Sequence, residues 1–160
     1  MYTALQQESP SVLRYPRGVG EGTEWQGVPF EAVEVGRGEC LKEGKDIAIL
    51  AVGTMANVAL RAAERSTKSV AVYDLRYVKP LDEALILDVA RRFKHIITIE
   101  DGILRGGVGE SIAALIARNS LSPKITTLGI DDSFVEHGKP AELYADCGYD
   151  EDALLKELEK

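Results

Sequence analysis

Two arginines near the start of the chain carry its most specific chemistry. In Arg14-Tyr15-Pro16-Arg17-Gly18, two guanidiniums flank a rigid Tyr-Pro step ahead of a glycine-rich run. A guanidinium is planar and permanently charged, and its fork of donors matches the oxygens of a carboxylate or phosphate. The block therefore suits recognition of an anionic substrate group. Alternation along an extended segment sends Arg14 and Tyr15 to opposite faces, so the arginines need not act together. The same residues read equally as solvated linker charge.

Further along, Glu100-Asp101 follows an apolar run, at the kind of strand end where open α/β sheets place ligands. One carboxylate could act as base or ligand. No histidine, nucleophile or second acid sits at readable spacing, which favours a capping or interface role. Gly106-Gly107-x-Gly109 precedes a helical pattern whose free N–H groups could hold an anion. The preferred alternative is a turn packed closely on a neighbouring strand or domain. Asp74-x-Arg76 places both charges on one face of a strand end and reads as a structural pair fixing the turn into Lys79-Pro80. His137 reads as a loop interface contact, and Cys147 as core.

The elements that must position these residues follow a βαβα rhythm from Val70 to Ile116. That order implies a parallel sheet with helices on its faces. Asp46–Val52, Lys68–Leu75, His95–Glu100 and Ile125–Ile130 are expected as parallel strands, and the near-continuous apolar run of the first is that of a strand covered on both faces. Phe30–Val35 alternates, and is expected as a front strand at an edge of the sheet, with 36–44 as a turn region. Helices are expected after Thr54 and Asp82, each a candidate cap, after Gly109, at Pro140, and after Asp150. The last should carry Leu154, Leu155 and Leu158 on one stripe. The expected architecture is a three-layer α/β/α sandwich around a five-stranded, mostly parallel sheet with one antiparallel edge strand. Residues 1–29 form a separate arm, and 30–160 the domain proper.

Composition narrows the function. The 160 residues are 45% hydrophobic, enough for a core, and the net charge of −7 is spread along the chain. Nucleic-acid binding is disfavoured, since it calls for a basic face. No apolar run reaches a membrane span, and the start lacks signal-peptide features. Two distant cysteines and two histidines argue against zinc and for a reduced, cytoplasmic protein. Neither a Rossmann glycine fingerprint after the first apolar strand nor a P-loop occurs, which argues against NAD or ATP.

Five blocks then occur in order: Arg14-Tyr-Pro-Arg-Gly18, Ala48-Ile-Leu-Ala-Val-Gly-Thr54, Asp74-Leu-Arg-Tyr-Val-Lys-Pro-Leu-Asp82, Thr98-Ile-Glu-Asp101 with Gly106-Gly-Val-Gly109, and Asp132-Ser-Phe-Val-Glu-His-Gly138. Together they resemble the C-terminal, transketolase C-terminal-like region of the 1-deoxy-D-xylulose-5-phosphate synthase family. The resemblance implies an enzyme that joins pyruvate to glyceraldehyde 3-phosphate with loss of CO2, using thiamine diphosphate and Mg2+, as a homodimer. Its product feeds isoprenoid, thiamine and pyridoxal synthesis. It also implies that Arg17 binds the phosphate of glyceraldehyde 3-phosphate, with Arg14 and Tyr15 as supporting neighbours. Residues 1–29 would be the tail of a preceding pyrimidine-binding domain. The family's Gly-Asp-Gly metal and diphosphate motif is missing, so the chain alone is expected to be inactive and to bind no cofactor. Two other readings stay open: the equivalent domain of a transketolase or of a 2-oxo acid dehydrogenase β subunit, and a freestanding, non-enzymatic assembly module.

Overall fold

A computed structural model describes residues 1–13, 15 and 27–160. They fall into two compact units, Met1–Val35 and Gly36–Lys160. The first holds a short helix, α1 (Tyr2–Leu5), whose Tyr2 ring stacks on Phe30. In it the Thr3 hydroxyl accepts the Val33 N–H at 2.9 Å.

The second unit runs β1 (Glu39–Lys42), β2 (Ile47–Ala51), α2 (Met55–Arg65), β3 (Val70–Asp74), α3 (Glu83–Arg92), β4 (His95–Ile103), α4 (Val108–Arg118), β5 (Lys124–Ile130), α5 (Pro140–Asp146) and α6 (Glu151–Leu158). The sheet order is β1-β3-β2-β4-β5. Only β1 is antiparallel, placed against β3 with Cys40 opposite Tyr73.

Alternation along the central strands feeds two cores. Ile47, Ile49, Ala51, Val70, Val72, Ile97 and Ile99 face one side, where α2 and α6 add Met55, Ala59, Ala62, Leu154 and Leu158. Ala48, Leu50, Ala71, Tyr73 and Ile96 face the other, met by Ile86 and Val89 of α3 and Ile112 and Ile116 of α4. Both faces of β2 are fully covered, which explains its unbroken apolar run. The result is the expected three-layer sandwich.

One element differs from expectation. Phe30–Val35 is not a strand but exposed chain without regular secondary structure, and the antiparallel edge is Glu39–Lys42, inside the supposed turn region. Alternation alone supplies no partner. The real edge strand is fixed by contacts distant in sequence: Lys42 Nζ donates to Val70 O, and the Gly38 N–H donates to Asp82 Oδ2. Gly44 crosses β3 so closely that a Cβ there would lie 2.2 Å from the Ala71 nitrogen.

Two of the three expected caps form. Asp82 accepts the Leu85 N–H and Asp150 the Ala153 N–H, whereas Thr54 stands at the α2 cap position without a side-chain bond. Leu154 and Leu158 are fully buried and Leu155 only partly. Helix α6 is tied down by Arg61 and Arg65 to Glu151, and by Glu159, which accepts from Ser66 and Thr67. Those hydroxyls, Thr67 first, hold the Glu159 carboxyl down at about 2.

A polar chain joins α6 to the sheet. His95 Nε2 lies 3.0 Å from Thr126 Oγ1, which in turn donates to Glu157 Oε1; Lys124 pairs with the same oxygen and Lys160 with Oε2. Burial, then Lys124, lowers the His95 pKa below 6.5, with Glu157 opposing. The unfolded chain therefore takes up the proton more readily than the folded one. Stability from this site is present above the unfolded pKa and is lost as pH falls from there through the lower folded pKa. For Glu157, burial pushes the carboxyl up, but Lys160 and Lys124 hold it below its usual value, so its own loss falls in a more acidic window. Denaturant titrations between neutral pH and pH 5 should show stability declining, and His95→Gln should flatten that decline.

Candidate functional site

The carboxyl ends of β3 and β4 carry Asp74, Arg76, Glu100 and Asp101, and the structure gives each of them internal partners. Glu100, buried near the end of β4, turns its carboxylate under the first turn of α4. Its Oε1 accepts the Gly109 N–H at 2.8 Å and its Oε2 accepts the Val108 N–H at 3.1 Å. A helix N-terminus offers unpaired N–H groups and partial positive charge to an anion. Here the anion is the chain's own carboxylate.

Gly107 makes this fit possible. A Cβ on it would stand 2.4 Å from the Ile103 carbonyl and 2.7 Å from Glu100 Oε1. The glycine turn is thus a close approach between β4 and α4. Of the two readings of that motif, packing is the one the geometry supports.

Asp101 points elsewhere and takes hydroxyl donors from Tyr149 at 3.0 Å and Tyr144 at 3.4 Å. The two rings lie 5.0 Å apart. Burial, followed by the bond to Asp101, pushes the Tyr149 hydroxyl far up, so it remains a donor. The pairing fastens the segment between β5 and α6 to the end of β4. It was not legible from spacing, because the partners lie more than forty residues apart.

The expected Asp74–Arg76 pair is only half present. The Arg76 backbone N–H donates to Asp74 Oδ1, but its guanidinium pairs with Glu39 on the edge strand. Arg76 has φ 54°, which turns its side chain away from the face that strict alternation predicts. Burial raises the Asp74 carboxyl pKa, and the Arg76 N–H partly offsets this. His137 is exposed in the loop after β5, and Cys147 ends α5, partly buried against one core.

Arg14 and Arg17 lie outside the described residues, and Tyr15 is exposed. Among the described residues, no group of three or more His, Cys, Asp or Glu side chains could hold a metal ion, and no helix is long and apolar enough to cross a membrane.

Residues 36–154 match the family described as transketolase, C-terminal domain. The 1-deoxy-D-xylulose-5-phosphate synthase of Bacteroides thetaiotaomicron is 49% identical over 165 residues, covering 100% of this chain and 25% of that protein. The synthase of Phocaeicola vulgatus is 46% identical, covering 99% and 26%. The synthase of Porphyromonas gingivalis is 41% identical, covering 92% and 24%. A solved structure described as a split gene transketolase, inactive beta4 tetramer, superposes with a TM-score of 0.73 at 30% identity, over 81% of this chain and 43% of its own. The chain spans about a quarter of the length of the curated relatives it matches.

Proposed function

This chain belongs to the transketolase C-terminal domain family, and on that footing we propose that it serves as the C-terminal domain of a 1-deoxy-D-xylulose-5-phosphate synthase. The observation that carries the proposal is 49% identity to such a synthase along the whole chain, against 30% to the split transketolase. The reaction proposed for the intact enzyme joins pyruvate to glyceraldehyde 3-phosphate with release of CO2, in the cytoplasm and in a homodimer. Residues 1–29 are then the tail of the preceding domain and 30–160 the domain proper.

Within that enzyme, Arg17 contacts the phosphate of glyceraldehyde 3-phosphate, and Arg14 and Tyr15 support it. The warrant is chemical: a guanidinium fork matches phosphate oxygens, and a preceding proline limits the backbone. A single exposed ion pair contributes only about 0–1 kcal/mol, so the chain by itself should not hold the substrate measurably.

Thiamine diphosphate supplies the electron sink for such a decarboxylation when bound. The residues of this chain do not fit it. The sequence lacks Gly-Asp-Gly, and the Glu100 carboxylate fills and would repel a diphosphate from the helix start at Gly107–Gly109. The cofactor and Mg2+ are therefore assigned to the rest of the enzyme.

A chimera provides the test. The matching quarter of the B. thetaiotaomicron synthase is replaced by residues 1–160, and product is followed from pyruvate and glyceraldehyde 3-phosphate. Product should form at a rate within about ten-fold of the parent, a loss of about 1.4 kcal/mol at most. A folded, cofactor-loaded chimera that makes none would overturn the proposal.

A further inference from the structure

From Asp131 to Gly148 not one residue is buried, although the stretch includes a formed helix. Helices α2, α3, α4 and α6 each bury a stripe of side chains, whereas α5 has no fully buried residue and meets the core only through the partly buried Tyr144 and its cap Cys147. A seven-residue helix is too short to persist on propensity alone and ordinarily depends on packing. Phe134 is fully exposed, with Val135 and, on β4, Ile103 also exposed. Between Phe134 and Leu143 the surface opens into a cavity of about 290 Å³.

This segment nevertheless has a defined shape. Arg105 pairs with Asp132 at 2.9 Å, and the Tyr144 hydroxyl reaches Asp101. An apolar tip held in fixed shape is what a docking surface requires, because little ordering cost remains at association.

Charge identifies the occupant. Asp131, Asp132, Glu136, Glu142 and Asp146 lie in this segment; Asp132 is paired with Arg105 and Glu142 with Lys139, which leaves Asp131, Glu136 and Asp146 as the acidic excess along the cavity. A second copy of this chain carries −7 and presents the same acidic segment, so like charges oppose self-association through this face. The complementary surface is basic with apolar pockets. Three quarters of the length of the related synthases lies outside the region matched by this chain. We propose that the Asp131–Gly148 loop and helix dock, through Phe134 and its acidic rim, on a basic and apolar surface in that remaining part of the enzyme. This rests on the synthase reading above.

The chimera separates the two. Phe134→Asp should lower its turnover at least roughly ten-fold and weaken its assembly in sedimentation, as loss of a central aromatic anchor does. The melting temperature of the 160-residue chain should not change, because the ring contributes no buried area there. The double change Glu136→Lys with Asp146→Lys should also lower turnover, whereas Glu64→Lys, on α2, should leave it unchanged. Full turnover and intact assembly in the Phe134→Asp chimera would overturn the docking surface while leaving the synthase reading intact. A parental chimera that neither assembles nor turns over would overturn both. If the 160-residue chain dimerises and Phe134→Asp abolishes the dimer, the occupant is a second copy and the assignment fails.

Discussion

Replacing Arg17 with alanine in the synthase chimera should raise KM for glyceraldehyde 3-phosphate by roughly 10- to 100-fold and leave KM for pyruvate nearly unchanged. A hydrogen bond to a charged group in an enclosed site is worth about 1.5–3 kcal/mol. Each 1.4 kcal/mol corresponds to about ten-fold in binding. Pyruvate carries no phosphate, so a guanidinium dedicated to that group has no term in its binding. Arg17→Lys should recover part of the loss, since it restores charge without the two-pronged donor geometry. Arg14→Ala and Tyr15→Phe should have smaller effects, as neighbours that orient rather than contact the phosphate. Steady-state kinetics with each substrate varied in turn decides the matter. Equal increases for both substrates would mean that Arg17 holds the fold, and its assignment to phosphate would fail.

The largest structural effect is expected at Glu100. Its alanine variant leaves the Val108 and Gly109 N–H groups buried without an acceptor. An unsatisfied buried donor costs about 1–3 kcal/mol, and losing the favourable charge at the helix start adds about 0.3–1 kcal/mol. Relief of carboxylate desolvation offsets part of this, so about 2–4 kcal/mol of net destabilisation is expected. That corresponds to a fall in Tm on the order of 10 °C. Phosphate or sulfate should restore part of the Tm of the alanine variant and little of the native protein's, because the emptied helix start becomes available to an external anion. Thermal melts with and without added anion test this. If Glu100→Ala melts within about 2 °C of the native chain, the carboxylate is not what secures α4. Gly107→Ala should destabilise by a related route, since its methyl meets both the Ile103 carbonyl and Glu100.

These effects also mark where sequence reasoning succeeded. Strands β2, β3 and β4 were legible because two-sided burial writes itself as unbroken apolar runs such as Ile47–Ala51. The caps at Asp82 and Asp150 were legible because donor and acceptor sit three residues apart. Contacts between distant residues were not. Edge strand Glu39–Lys42 has no apolar rhythm and is defined by β3, about thirty residues downstream, whereas Phe30–Val35 has the rhythm but is not paired into the sheet.

The same limit applies to the site. Glu100 lies eight and nine residues before the N–H groups it accepts. An acid at the end of a strand followed by Gly-Gly before a helix could have signalled the cap, since both are needed for so close a fit. Asp82 also takes the Gly38 N–H and a 3.4 Å ion pair from Arg37, and no local pattern announces either. The Asp101 pairing with Tyr144 and Tyr149 likewise depends on how α5 and α6 return to the sheet. Arg14 and Arg17 were prominent in sequence because their chemistry is local, and they lie outside the described residues.

The acceptor that the assembled enzyme chooses separates a synthase from a transketolase or a 2-oxo acid dehydrogenase. The direct measurement offers the chimera pyruvate with glyceraldehyde 3-phosphate, ribose 5-phosphate and a lipoyl protein in competition, and identifies the products by mass. Deoxyxylulose 5-phosphate should dominate. Preferential acylation of the lipoyl protein, or transfer of the acetyl unit of pyruvate to ribose 5-phosphate, would contradict it.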